Sequence, residues 1–476
     1  MDLTELQTLA SKPRTFILTD ILNEPDDSQS LIRYLLYANE FDTRGIVACT
    51  SVWLKDTTHP EEIRRLVGVY DTVVNNLNNH VHPDHQYQRA SYFLPLVSSG
   101  PAVLGQKAFD EPLSDGAQML IDRLEESGDK LYVLLWGGAN TLAQALKHTR
   151  ETKSLDAAAR LRSRLTVYAI SDQDDTGPWI RANFPDVKYI VSIHAKNMYR
   201  LATWTGISDT FDKGSNNDIV SREWLKNNIQ LGPLGSEYPN PLYIVEGDTP
   251  SFLWLIQNGL NNPERIGWGG WGGRYNLLED GVHNNLYTDT IDRAMGLDDN
   301  LYVNNQATIW RWREAFQNDF ASRMQWTMTD SFGTVSHPPI VKINGEPGPA
   351  PTLVEIKGGE ELEYDASESL DPDRPGEINH LEFQWYQYWE PSVEVPIPFL
   401  PPTCSLRIEP VPRLEGAGQT LQRNNSGFGQ VVSSPKVKVS IPTKDEWTDL
   451  HLILQVTNSA GKYPITRYKR VVFKWS

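Results

Sequence analysis

The chain has 476 residues, 39% hydrophobic and 22% charged, with 33 Gly and 31 Pro, a globular make-up that excludes collagen-like and low-complexity architectures. Lys and Arg number 44 against 61 Asp and Glu, a net charge of −17, which disfavours a nucleic-acid backbone or an anionic membrane surface as partner. Two cysteines, Cys49 and Cys404, exclude a disulfide framework, and no apolar run reaches the roughly 18 residues of a membrane span.

The N-terminal stretch MDLTELQTLASKPRTF lacks a positive start and an apolar run of signal-peptide length. The expectation is a cytoplasmic protein if Met1 is the native start, and a secreted one if a leader has been removed. The sequon Asn424-Asn425-Ser426 is too weak a signal to choose.

In chain order, RTFILTD (14–20) reads as a buried strand and SQSLIRYLLYANE (28–40) as a helix with Leu31, Leu35 and Leu36 at helical spacing. RGIVACTS (44–51) is the next strand, HPEEIRRLVGVYDTVVNNL (59–77) a long helix, and SDGAQMLIDRLEESG (114–128) a helix with a Ser start and a Gly stop. KLYVLLW (130–136), LTVYAIS (165–171) and VKYIVSI (187–193) are strands, with helices at NTLAQALKHTRE (140–151) and DTGPWIRANF (175–184). PLYIVEG (241–247) and PSFLWLIQNGL (250–260) repeat the strand–helix pair once more. Fully apolar strands alternating with helices predict an α/β fold with an open, mostly parallel sheet covered on both faces.

SFGTVSHPP (331–339) reads as a linker. Beyond it, EELEYDAS, HLEFQWYQYW, KVKVSI, LHLILQV and RYKRVVFKW are short β-like runs between turn residues. Two domains are therefore expected: an α/β domain over 1–335 and an immunoglobulin- or PKD-like β-sandwich over 340–476.

Ligands of an open parallel sheet bind beyond the carboxyl ends of its strands. Those ends deliver Asp20, Glu24, Asp26 and Asp27 after the first strand; Gly137, Gly138, Ala139 and Asn140 after KLYVLLW; Asp172, Asp174 and Asp175 after LTVYAIS; and Gly247 and Asp248 after PLYIVE. Eight acids on one rim would repel. A divalent cation such as Ca²⁺ or Mg²⁺ would offset that repulsion, whereas helix capping is the plainer role for any single acid among them. In GWGGWGGRY, Trp268 and Trp271 stand among Gly269, Gly270, Gly272 and Gly273, with Arg274 and Tyr275 adjacent. The expectation is a stacking platform for sugar rings; the alternative is two core indoles. HVHPDH offers His80, His82 and His85, too few ligands for an obvious zinc site. His283 and His337 fall in loops.

FILTDILNEPDDSQSL, LLWGGANTLAQAL and GDTPSFLWL resemble, in that order, the first strand and acidic loop, the Thr-Gly-Pro-x-Thr-Asn segment and the late His-Asp-Pro segment of the nucleoside hydrolases. TDILNEPDDSQSLIRYLLYANE, SDQDDTGPWIRANFP and GWGGWGGRY are similar to hallmark phrases of a nucleoside-hydrolase-like subfamily labelled cellulose-binding, in which a β-sandwich follows. The resemblance implies metal ligation by Asp20, Asp27, Asp248 and the Trp136 carbonyl. It implies Asp26 as the base that activates water, and Ca²⁺ as cofactor. The chain departs from the pattern at Leu22, where the family has a metal-ligand aspartate, and at Gly247, where it has a histidine. No ribose-binding asparagine follows the second strand, and Val52 and Trp53 stand near that place.

Three readings are open, the third being a cytoplasmic enzyme that acts on a glycosylated or other small metabolite. In the first, a glycosidase-type hydrolase cleaves N- or O-glycosyl bonds, with Asp26, Asp172 and Asp174 catalytic and Asn140, Trp53, Glu24, Trp268, Trp271 and Arg274 on the substrate. In the second, the same fold binds carbohydrate without cleaving it. The partner is a sugar-containing small molecule or a polysaccharide, and the resemblance admits a homo-oligomer.

Overall fold

The computed structural model describes residues 3–9, 11–279, 282, 284–392, 405–411, 431–443, 449–459 and 461–476. Cys404, His283 and the sequon at 424–426 lie outside the described residues.

Eight strands form the first sheet: β1 (Arg14–Thr19), β2 (Asp42–Ala48), β3 (Val97–Ser99), β4 (Leu131–Leu135), β5 (Leu165–Ser171), β6 (Lys188–Ser192), β7 (Tyr275–Leu277) and β8 (Leu286–Asp289). Their order is β3-β2-β1-β4-β5-β6-β8-β7, and every pairing is parallel except β7 with β8. The strands are apolar on both sides because both faces are covered. Phe16, Leu18, Val133, Leu135, Val167 and Ala169 enter one core, while Ile17, Leu134, Tyr168 and Ile170 enter the other. The winding reverses between β1 and β4. Carboxyl ends splay apart at such a reversal and leave a crevice.

The segment 241–247 is not a strand, contrary to expectation. Glu246 takes a left-handed φ of 54° that breaks the extended run, its carboxylate turned onto Arg33, while Leu242 and Tyr243 are exposed. The place beside β6 is filled by β8 instead. The helix expected at 250–260 shrinks to Pro250–Leu253, and that at 59–77 is interrupted after Asp71 and resumes at Val74–Leu77.

Two small antiparallel pairs follow: β9 (Asp292–Met295) with β10 (Leu301–Asn304), and β11 (Lys342–Ile343) with β12 (Glu346–Pro347). The remaining strands are β13 (Thr352–Ile356), β14 (Glu361–Asp365), β15 (Leu381–Gln387), β16 (Arg407–Pro410), β17 (Lys436–Ser440), β18 (Leu450–Asn458) and β19 (Ile465–Trp475). They make two sheets, β13-β19-β18-β15 and β14-β17-β16, antiparallel except that β13 pairs β19 in parallel.

Side chains alternate across a strand. In β18, Leu452 and Leu454 fill the sandwich, while Ile453 joins the core of the α/β part, as do Tyr386, Tyr388 and Tyr468. One sheet thus serves two cores. Buried ion pairs lace the same junction: Arg467 to Asp319 at 2.7 Å, and Arg311 to Asp292 at 2.9 Å and Glu390 at 3.4 Å. The segment expected as a linker is packed too, with His337 fully buried and its Nδ1 2.6 Å from Asp373 Oδ1.

Candidate functional site

The crevice at the winding reversal is acidic. Asp20 follows β1, and Asp26 and Asp27 lie in the first turn of the helix Pro25–Leu36, where the helix dipole favours negative charge. Asp248 sits in the loop after the broken segment. Carboxylate oxygens of Asp26, Asp27 and Asp248 all lie within 4.8 Å of one another, and all three residues are buried. This triad can hold a metal ion. Asp27 Oδ1 accepts from Thr19 Oγ1, Asp26 Oδ1 accepts from the Asp27 amide at 3.1 Å, and Asp248 Oδ2 is buried with no partner. Arg33, which follows Asp27 on the same helix, is committed to Glu246, and Arg181 to Asp172.

Burial is the largest cause raising all four carboxyls. Asp20 is pushed up to about 7. Asp26 is held well above the usual range by burial and then by the charges of Glu24 and Asp20, Asp27 by burial and then Asp20 and Asp26, and Asp248 by burial and then Asp27 and Asp26. Uncompensated buried charge is expensive. Unpaired, converging, oxygen-only donors are the chemistry that hard divalent cations take.

The like-charged segments are held together by neutral and ionic bonds behind the acids. Arg33 Nη1 meets Glu246 Oε2 at 2.7 Å, Tyr238 donates to Glu246 Oε1 at 2.7 Å, the Glu246 amide donates to Gln29 Oε1 at 2.9 Å, and Thr249 Oγ1 donates to Ser30 Oγ at 3.0 Å. Both loops carry a non-glycine residue at positive φ, Leu22 at 73° and Glu246 at 54°, conformations that persist where the surroundings hold them.

The expected ligand set is only partly assembled. Asp27 and Asp248 meet, but their third partner is Asp26. Asp20 stands to one side, where a Cβ on Gly137 would lie 2.8 Å from its Oδ1; its Oδ2 is buried and unpartnered. The Trp136 carbonyl accepts from Gln173 Nε2, a donor that sequence reading did not single out. Leu22 is half exposed and brings no ligand.

At the same carboxyl-end rim opens a cleft of about 590 Å³, lined by Val52, Gln173, Asp174, Ser192, His194 and Tyr199 among others. Asp174 Oδ1 caps a helix start, accepting from the Thr176 amide at 2.8 Å, while Oδ2 is buried without a partner. Asp172 is held in a two-bond pair with Arg181, 2.7 Å each. Asn140 is fully buried, its amide donating to Thr50 Oγ1 and the Val103 carbonyl at 2.8 Å, so it does not face a substrate. Glu24 is half-buried at the acidic loop, raised by burial. Trp53 is 53% exposed, its ring 5.9 Å from Tyr199 and 5.6 Å from Lys196 Nζ.

The tryptophan platform is not found at the glycine-rich loop. Trp271 is fully buried among Phe316 and Tyr468, and Arg274 is buried in an ion pair with Asp292 at 2.7 Å. Trp268 is half-buried, edge-on to His451 at 4.9 Å. The glycines serve close packing: a Cβ on Gly272 would lie 2.5 Å from the Pro250 carbonyl oxygen. His80, His82, His85 and His337 belong to the junction between the two parts, where His80 Nδ1 lies 3.0 Å from His337 Nε2.

Two family models match the chain: the nucleoside hydrolase-like domain of cellulose-binding Sde182 over residues 14–275, and the C-terminal domain of cellulose-binding protein Sde0182 over 361–475. A solved structure from Saccharophagus degradans, described as a nucleoside hydrolase-related hypothetical protein associated with carbohydrate metabolism, is 27% identical with a TM-score of 0.75, covering 98% of this chain and 100% of that one. The effector protein XOO4466 matches at 12% identity and a TM-score of 0.27 over 59% of this chain and 88% of its own. Among curated proteins none matches.

Proposed function

The chain belongs to the cellulose-binding Sde182 family with a nucleoside hydrolase-like domain, and on that premise we propose that its acidic crevice binds the sugar of a glycoside and hydrolyses the glycosyl bond. The observation that carries this reading is the buried triad Asp26, Asp27 and Asp248, with the Asp248 Oδ2 left unpartnered. Those three residues would hold a hard divalent cation, and the family resemblance makes Ca²⁺ the first to test. Bound there, such a cation supplies ligand positions for sugar hydroxyls and water, and lets the three carboxyls ionise.

In this reading Asp26 takes the proton of the attacking water. Its Oδ1 is fixed by the Asp27 amide, leaving Oδ2 toward Gly247. Asp20 and Glu24 add negative charge beside the sugar, which favours an oxocarbenium-like transition state. Trp53 and Tyr199 supply aromatic surface at the cleft edge for a pyranose or furanose ring. The family description names cellulose binding, which supports a polysaccharide or one of its fragments as partner.

A second reading, carbohydrate binding without cleavage, is favoured by Leu22 in place of a family aspartate and by Gly247 in place of a proton donor. Release of reducing sugar from a panel of cello-oligosaccharides and ribosides, with Ca²⁺ and with chelator, separates the two. Cation-dependent cleavage that Asp26→Ala abolishes supports hydrolysis. Binding by wild type with no cleavage of any member leaves the second reading.

A further inference from the structure

On the hydrolytic reading, a proton must reach the leaving group, and the carboxylates of the cation-binding triad do not supply it. Position 247 cannot supply it either. A Cβ on Gly247 would lie 2.7 Å from Asp26 Oδ2 and 2.9 Å from Trp204 Cζ3, so the Trp204 indole fills that place.

From the other edge of this indole runs a hydrogen-bonded chain. Trp204 Nε1 donates to Ser171 Oγ at 2.9 Å, Ser171 Oγ lies 2.6 Å from His194 Nε2, and His194 Nδ1 lies 3.0 Å from the Ala195 carbonyl oxygen. A carbonyl only accepts, so Nδ1 carries a hydrogen. In the neutral ring Nε2 is then the acceptor, and Ser171 donates to it. In the imidazolium both ring nitrogens donate. Ser171 Oγ then accepts from Trp204 and from His194 together, and its own hydrogen turns to a third acceptor. Because both nitrogens of His194 are engaged, a proton leaving the ring passes through this hydroxyl.

The placement suits proton delivery. Ser171 is the last residue of β5 and His194 follows β6, at the same carboxyl-end rim that carries Asp20 and Trp136. His194 lines the cleft with Gln173, Asp174 and Tyr199, its ring 4.5 Å from that of Tyr199. The Trp204 indole has Cζ3 beside position 247, where Asp26 Oδ2 also lies, and its Nε1 on Ser171.

We propose that His194 is the proton source and Ser171 the relay for the departing group, and that the substrate is a glycoside whose leaving group is an alcohol or another weak acid that cannot depart unprotonated. This rests on the hydrolytic reading. Water oxygen bonds to the anomeric carbon while the bond from that carbon to the leaving atom breaks, its electron pair going to the leaving atom. Asp26 takes the water proton. Ser171 gives its hydroxyl hydrogen to the leaving atom and receives the Nε2 hydrogen of His194. The products are the free sugar and the protonated leaving group. Asp26 then loses a proton to solvent and His194 regains one.

The test compares leaving groups. Wild type, His194→Gln and Ser171→Ala are assayed on p-nitrophenyl β-cellobioside against cellotriose, and on p-nitrophenyl against methyl β-ribofuranoside. Nitrophenolate departs without a proton; the other groups do not. Both variants should lose roughly 10²–10⁴-fold in kcat/KM on the unactivated member of a pair while keeping turnover of the nitrophenyl member within a few fold. An equal fall on both members, in folded variants, would mean that the chain only pins the loop after β6 and would overturn the assignment. Wild-type turnover unaffected by either variant overturns it as well. No turnover of any member by wild type removes the hydrolytic reading itself, and this inference with it.

Discussion

Replacing Asp20 with Asn removes a carboxyl that burial pushes from 3.8 up to about 7. A carboxyl raised on folding binds its proton more tightly in the folded chain than in the unfolded one. Its contribution is complete below the unfolded value and is lost as pH climbs through the folded one. A rise of about three pKa units corresponds to roughly 4 kcal/mol. In metal-free protein, the stability of Asp20→Asn relative to wild type should therefore increase by roughly 4 kcal/mol between pH 4 and pH 8. With 476 residues melting as one unit at about 2.1 cal/mol/K each, 1 kcal/mol moves the Tm by about 1 °C, so the relative gain is about 4 °C. Differential scanning calorimetry at half-unit pH steps, in the presence of chelator, reads this directly. A difference that stays flat with pH, or that shrinks as pH rises, would refute the claim that Asp20 is a buried, unpaired acid.

Arg33→Met leaves Glu246 buried without its cation, which should cost about 3–5 kcal/mol in thermal or urea unfolding and weaken Ca²⁺ binding by loosening the loop that carries Asp248. Trp271→Ala should cost about 3–5 kcal/mol of stability with no loss of affinity for cellohexaose, whereas Trp53→Ala should leave the Tm nearly unchanged and weaken cellohexaose binding several fold in a fluorescence titration. Gly247→Ala crowds Asp26 and Trp204; calorimetric Ca²⁺ affinity should fall, with overpacking of this kind costing about 1–3 kcal/mol.

The parallel sheet was legible because its central strands are buried on both faces and, apart from Arg14 opening β1 and Lys188 opening β6, carry apolar, tyrosine and small residues. The three-residue β3 and the mixed β8 lack that signature. The helix Arg313–Trp326 left no amphipathic stripe because Arg323 and Asp319 are themselves buried as an ion pair, and Arg313 is buried on the Gly206 carbonyl and Ser215 hydroxyl. PLYIVEG imitates a strand in composition, and the contacts that hold Glu246 in a loop, to Arg33 and Gln29, come from more than 200 residues away. The acids of the crevice are legible as the residues just beyond the strand ends. The same rule reaches His194 after β6, but its partner Ser171 lies 23 residues earlier, and no local pattern joins them. Composition cannot tell an exposed indole from a buried one, so Trp268 and Trp271 were expected in a platform that packing against β18 and β19 forbids, while among the described tryptophans it is Trp53 that stands open near the cleft.

The central claim is a cation site built from Asp26, Asp27 and Asp248. Isothermal titration of Ca²⁺ into metal-stripped wild type and Asp27→Ala at pH 7.5 tests it most directly. Wild type should bind one ion per chain, with proton release, and the variant none. Absence of binding to wild type, or equal binding to both proteins, would contradict the claim.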